Sequence, residues 1–178
     1  MLAFSSNAGP SFLFGMVSAN FPDSLMVWEL WLVHIAAAIF TAQVFPAPPS
    51  EYTKIPSSRD SVPKSDAMLS AIKAMASICG WVIVFRTLMS FLNSNFIFML
   101  PQWLLVLASG FLELSNGCCE LFKIPDVKLR FVLCGCMLSF GGICVFLQTN
   151  SVVNGLSLRY YVLGKLVQTA VSFVLCLV

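Results

Sequence analysis

Five apolar stretches, each close to twenty residues long, govern what this chain can become: residues 25–45, 69–92, 96–114, 130–147 and 160–178. About twenty apolar residues is the length a helix needs to cross the hydrocarbon of a bilayer. Inside lipid the backbone must satisfy its own hydrogen bonds, so such stretches become helices. The rest of the composition agrees. The 178 residues are 58% hydrophobic and only 10% charged, where a soluble domain carries roughly 25% charged residues. The expected fold class is therefore all-α. It is a polytopic membrane protein of about five transmembrane helices, forming a single membrane domain over residues 1–178, with the lipid bilayer as its surroundings.

Ahead of the first stretch lies "PSFLFGMVSANF", residues 10–21, apolar but too short to cross and punctuated by Pro10, Gly15 and Pro22. That length suits a re-entrant or half-helix segment. Pro10 fits a first helical turn, with Asn7 or Ser6 as its cap. The start lacks the basic residues and cleavage site of a secretory signal.

Residues 46–68, "PAPPSEYTKIPSSRDSVPKSDAM", form a Pro/Ser-rich linker carrying six charges, too polar to fold alone. Lys54, Arg59 and Lys64 lie in it, and Lys123, Lys128 and Arg130 flank the start of the fourth stretch. The positive-inside rule then puts 46–68, 117–129 and the C-terminus in the cytoplasm, with residues 1–23 entering from the outer face. The seven cysteines lie mostly inside the stretches, where small polarizable residues pack helix on helix. Neither a disulfide framework nor a metal site is expected from them. No internal repeat is visible.

Polar residues inside apolar stretches are the guide to function, because ionisable groups at membrane depth face an interior or a wet cavity. Gln102, Ser109, Glu113, Asn116 and Glu120 follow at steps of 7, 4, 3 and 4, which keeps them on one face of a continuous helix. Lys165, Gln168, Thr169 and Ser172 share another face. Lys73 and Glu113 are matched in depth for an ion pair, and Glu29, Arg86 and Lys165 for a second cluster. The competing account is that the basic residues snorkel to the headgroups. Glu113, on a short stem, reaches less far and reads as an interior anchor, in a cavity or against Lys73, with Asn116-Gly117 ending or breaking its helix. The fourth stretch offers a small-residue face, Gly135, Ser139 and Gly142, and then a polar run, Gln148 to Ser151. That run is either a helix end with its loop or a broken helix whose freed groups line a cavity. His34, the single histidine, has no nucleophile, zinc ligand or acidic partner in sequence. It reads as a hydrogen-bonded interior residue, so no catalytic residues, cofactor or metal are expected and the chain is not read as an enzyme. A net charge of +2 without a basic cluster gives no basis for nucleic-acid binding.

Three segments, "SSNAGPSFLFGMV", "SGFLELSNGC" and "LSFGGICVFLQTNSV", together resemble the sporulation integral membrane proteins of the YlbJ type, in the nucleoside-recognition (Gate) domain group. The resemblance covers almost the whole chain. It implies a multi-pass protein of the cell membrane of an endospore-forming bacterium, needed for spore cortex formation, with kinship to small-solute transporters. Carried onto this chain, the matching residues are Asn7, Pro10, Glu113, Asn116, Gly117, Gly142 and Gln148. Asn7, Glu113, Asn116, Gln148 and Ser151 are the expected cavity groups, and Pro10, Gly117 and Gly142 the helix-break and packing positions. Members of the family are about twice as long, and this chain opens at the motif of their second half. A C-terminal half is therefore implied, working with a second half-domain or as a homo-oligomer on a small polar solute. The alternative is a non-transporting scaffold for cortex-building proteins.

Overall fold

The computed structural model describes residues 7–45, 64–96, 101–152 and 159–178, and among these every regular element is helical. A short helix α1 (Pro10–Phe12) runs on through a π turn (Leu13–Val17) into a 3-10 turn (Ser18–Asn20). The longer helices are α2 (Ser24–Val44) and α3 (Lys64–Phe96). Next come α4 (Gln102–Leu112) and α5 (Leu114–Glu120), the latter ending in a 3-10 turn (Leu121–Lys123). The chain closes with α6 (Val127–Phe140), α7 (Ile143–Val152) and α8 (Arg159–Leu177). Four stretches are long and apolar enough to cross a membrane: Ser24–Val44, Met68–Phe91, Val127–Asn150 and Arg159–Leu177. They mark the chain as a membrane protein.

The 96–114 stretch does not make a crossing-length helix. Its helix α4 has 11 residues, about 16 Å at 1.5 Å per residue, roughly half the hydrocarbon thickness. Glu113 then leaves the helix with φ −145° and ψ 117°, and α5 starts at the next residue. The chain folds back here. A Cβ on Gly117 would overlap the backbone of Gly110, a contact that seven residues of straight helix, about 10 Å long, exclude. The expected single polar face from Gln102 to Glu120 is consequently cut in two. Gln102 is exposed and Glu120 pairs with Lys123 at 3.4 Å, while Ser109, Glu113 and Asn116 are buried. The asparagine-glycine step does not break the helix either; the break falls at Glu113.

Helices α2, α6 and α8 form the central bundle. Its register follows from a few contacts. The Ser172 hydroxyl donates to Gly135 O at 3.1 Å, and Phe146 stacks on Tyr161 at 6.1 Å. Eleven residues separate the two contacts on each strand of the pair, so α6–α7 and α8 run antiparallel in step. A Cβ on Gly135 would lie 3.6 Å from Leu30. At the start of α2, Arg130 donates to Asn20 O, and the Asn20 amide donates to Cys118 O at 3.1 Å. Thus α2 and α6 start at one end of the bundle and run parallel.

That geometry corrects the expected layout. Residues 18–24 and 121–130 share one end, and Val44, from which the 46–68 linker departs, lies at the other. Residues 18–23 and 121–129 therefore do not lie on opposite sides, and the chain leaves α2 at the end away from 121–129. Most of the linker, residues 46–63, is outside the described residues. Arg130 stands at the same end as Asn20, so a count of basic residues alone separated segments that the fold brings together.

The fold also holds a repeat. In residues 10–20 a half-length helical segment ends in a 3-10 turn, and Phe21-Pro22-Asp23 leads into α2. In residues 114–123 the same elements recur, and Ile124-Pro125-Asp126 leads into α6. Phe21 N–H donates to Ser18 O at 3.1 Å and Ile124 N–H to Leu121 O at 3.0 Å. Asp23 caps Leu25 N at 3.0 Å, and Asp126 caps Lys128 N at 2.9 Å. Proline and an aspartate N-cap explain why both long helices start where they do. The two units stand side by side, pointing the same way.

Candidate functional site

Two helix breaks meet in the interior. The first is Glu113. Its N–H closes α4 on Ser109 O at 2.8 Å, and its carboxylate opens α5, accepting from Ser115 N at 3.0 Å and Asn116 N at 2.7 Å. A carboxylate facing the free amides of a helix start is satisfied by charge and by hydrogen bonds together. This explains how an acid can sit only 6% exposed with no ion-pair partner among the described residues. The expected pairing with Lys73 does not form, and Lys73 is exposed.

The second break separates α6 from α7. Gly141 and Gly142 take φ +82° and +88°, a region that only glycine enters freely. The fourth stretch is thus a broken helix, but at these glycines, with Gln148 and Thr149 still helical in α7. Gly142 rests on the first break: a Cβ there would meet Leu114 N at 3.3 Å, Gly110 O at 3.4 Å and Leu112 O at 3.5 Å. One turn along α7, the Gln148 amide donates to Cys144 Sγ at 3.1 Å, and Cys144 lies within electrostatic reach of Glu113. The structure therefore gathers Glu113, Asn116, Gly117, Gly142 and Gln148 around one crossing. The side chain of Ser151 lies outside the described residues, as does Ser6.

A second polar cluster lies on the other face of the bundle. Lys165 Nζ donates to Asn7 Oδ1 and to Gln168 Oε1, both at 3.1 Å, and the Gln168 amide donates to Asn7 Oδ1 at 2.9 Å. Asn7 is not the cap of α1. That place is held by Gly9, with no side-chain cap and Pro10 in the first turn. Asn7 reaches instead across the bundle to α8. Glu29 and Arg86 are exposed and do not gather around Lys165. His34 is buried at the midpoint of α2 and feels the charge of Lys165. Among the described residues both of its ring nitrogens lack a hydrogen-bond partner, as do the hydroxyls of Ser109 and Ser139. It is an interior residue, and the expected hydrogen bond is not found among the described residues.

The helix register relates the clusters. Starting from the Leu30–Gly135–Ser172 layer, one turn along each helix gives His34, Ser139 and Gln168. Seven residues along α6 and α8 give Gly142 and Lys165. The Lys165 cluster and the crossing of the breaks therefore sit at one depth, with the orphaned His34 and Ser139 in the adjoining layer. In sequence, Lys165, Gln168 and Ser172 were legible as one face, and all three are buried. Ser139 was read only as a small packing residue, and Gly141 not at all. Its signal was the adjacency of two glycines inside an apolar run, which a helix has little reason to carry.

Compared with protein-family models, with curated proteins and with solved structures, the chain matches none.

Proposed function

We propose that this chain is a multi-pass membrane protein that binds a small polar solute near the middle of the bilayer and works as a transporter or half-transporter, alone or with a second half. The observation that carries this reading is the contact between two broken helices, the backbone of the Gly110–Leu114 turn against Gly142, with Glu113 buried in that turn. Non-helical backbone at membrane depth is tolerated where it is enclosed by protein or lines a cavity, and transporters place their substrates at such breaks. In this reading α2, α3, α6–α7 and α8 cross. Residues 10–20 and the α4–α5 pair are re-entrant, dipping from the same face. The sequence resemblance to the YlbJ-type sporulation proteins supports the same assignment, with a role in spore cortex formation in the cell membrane of an endospore-forming bacterium.

The test is thermal stability of the purified protein in detergent, scanned against nucleosides, nucleobases, amino acids and small anions. A ligand held only by the folded protein at a hundred times its Kd adds about 2.7 kcal/mol, a readable rise in Tm. Glu113→Gln weakens a helix cap by about 1 kcal/mol and is expected to abolish the ligand's rise as well. If no compound moves the midpoint, while the variant supports spore cortex formation as well as the parent does, a scaffold role replaces this one.

A further inference from the structure

We infer that this chain associates with a second copy of itself in the membrane. The outward face of α2 in one copy packs on the outward face of α3 in the next, and Glu29 pairs with Arg86 across the contact. The inference goes beyond the proposed solute role and does not depend on it.

The first observation is a pair of opposite charges on outward faces. Glu29 stands between Leu25 and Leu32, each 64% exposed, and is itself exposed, as is Arg86 on α3. Among the described residues neither has an ion-pair partner. Glu29 lies five residues inside Ser24 and Arg86 five residues inside Phe91, the ends of their apolar spans, which is about 7.5 Å in each case. Both are near the same end of the bundle. The charge of Arg86 reaches Cys119, and Cys118, next to it, accepts from Asn20 just ahead of α2. Charged groups at membrane depth pair with one another or face protein or water. Arg86 has a stem long enough to reach the headgroups, but the short Glu29 carboxylate does not, so a cation has to come to it. The chain carries that cation itself, at the matching depth.

The second observation is the register that this pair imposes. Helix α2 starts at the Asn20 end and α3 has its Arg86 half there, so α2 and the α3 of a copy inserted the same way up run antiparallel. With Glu29 opposite Arg86, each step along α2 is one step back along α3. Two turns on, Ala36 faces Cys79, and one turn further Ile39 faces Ala76. Steps of seven and three keep these residues on the faces that carry the charges, and all four are exposed. Small residues on facing helices are what close packing in a membrane requires, and here they coincide in the register set by the charges. Only 6% of the α3 span is buried within one copy, which leaves this face open to a neighbour. Each copy carries both helices of the seam, so the contact repeats from copy to copy and closes as a ring, a pair being the smallest.

The test is cross-linking of the full chain in liposomes. Two differently tagged versions are reconstituted together, both with Cys119→Ser. One carries Ala36→Cys and Cys79→Ser, and the other keeps Ala36 and the exposed Cys79. Mild oxidation by air and copper phenanthroline is expected to give a disulfide-linked band that holds both tags. Moving the second thiol from Cys79 to position 73 (Cys79→Ser with Lys73→Cys), about 9 Å along the helix, should cut the yield at least tenfold. Glu29→Arg in the first version, or Arg86→Glu in the second, should lower the yield at least tenfold as well, and the two reversals together should restore it. Should a reversal variant fail to fold, the contrast between the two thiol positions still decides. No doubly tagged band, an equal yield from the displaced thiol, or reversals that leave the yield unchanged each overturn the inference. The first of these outcomes would leave Glu29 to a different chain or to the headgroups.

Discussion

Gly142 offers the sharpest test of whether the two breaks support each other. Adding a methyl group at Gly142 incurs two separate costs. At φ +88° an L side chain crowds its own carbonyl, about 1–2 kcal/mol. The new Cβ would also press on Leu114 N at 3.3 Å and on Gly110 O and Leu112 O at 3.4 and 3.5 Å. Those are backbone atoms of a turn fixed at both ends by hydrogen bonds, so they yield poorly, and overpacking of this kind costs roughly 1–3 kcal/mol. Gly142→Ala should therefore lose about 2–5 kcal/mol. Gly141 is the internal control. Its φ is +82°, but a Cβ there meets nothing within 4 Å, so Gly141→Ala incurs the first cost alone. The assay is reversible unfolding in mixed micelles, followed by the fluorescence of the four tryptophans. Equal losses for the two variants would mean that the breaks do not bear on each other. No loss in either would mean that α6 and α7 are one unbroken helix, and the site would fall with it.

The same assay separates two neighbouring glycines. Gly117→Ala drives its methyl into the Gly110 backbone and should open the α4–α5 turn at a cost of roughly 3 kcal/mol or more. Gly110→Ala meets the flexible end of Met137, so trimming Met137 to Ala in the same chain should recover part of the loss. The π turn can be tested by deletion. Removing the exposed Gly15 should tighten it to an α turn, rotate the preceding residues by about 100° and pull Asn7 off Lys165 and Gln168. The expected loss is about 1.5–3 kcal/mol, whereas Gly15→Ala, with open space around its Cβ, should change little; a deletion as stable as the parent would refute the role given to Asn7. For the layout, an impermeant maleimide on sealed vesicles should reach Ser24→Cys and Lys128→Cys from one side and Val44→Cys from the other. The background lacks the exposed Cys79 and Cys119, and labelling of the first two from opposite sides would overturn the shared end.

The apolar blocks were legible because length and hydrophobicity are local properties, and 25–45 against Ser24–Val44 or 160–178 against Arg159–Leu177 differ by a single residue at each end. What failed was everything that depends on where a helix stops inside a block. Glu113 looked like one member of a continuous stripe because steps of 3 and 4 are the period of a helix. The same residue type makes an N-cap only when the chain before it has already turned, and a one-residue turn leaves no polar linker to mark it. Likewise Lys165 reads from its own helix as a partner of Glu29 and Arg86 or of the headgroups, and His34 as a hydrogen-bonded interior residue. Their shared surroundings are set by the α2–α8 register, which no single helix contains.

The repeat was hidden for a related reason. Its only literal trace is Phe-Pro-Asp at 21–23 against Ile-Pro-Asp at 124–126, too short to notice in so apolar a chain, where phenylalanine, leucine and isoleucine replace one another freely at lipid-facing positions. The spacing is also unequal. Eleven residues lie between Gly9 and Phe21, but ten between Glu113 and Ile124. The π turn at Leu13–Val17 absorbs the extra residue, as a single wide turn in a helix does. The mismatch has a chemical result. Unit one begins with Gly9-Pro10 and frees Asn7 to reach across to Lys165, whereas unit two begins with Glu113, whose carboxylate must satisfy its own helix start. Two copies of one architecture thus end at one depth with opposite character, a cation held by amides on one side and a self-capped acid on the other.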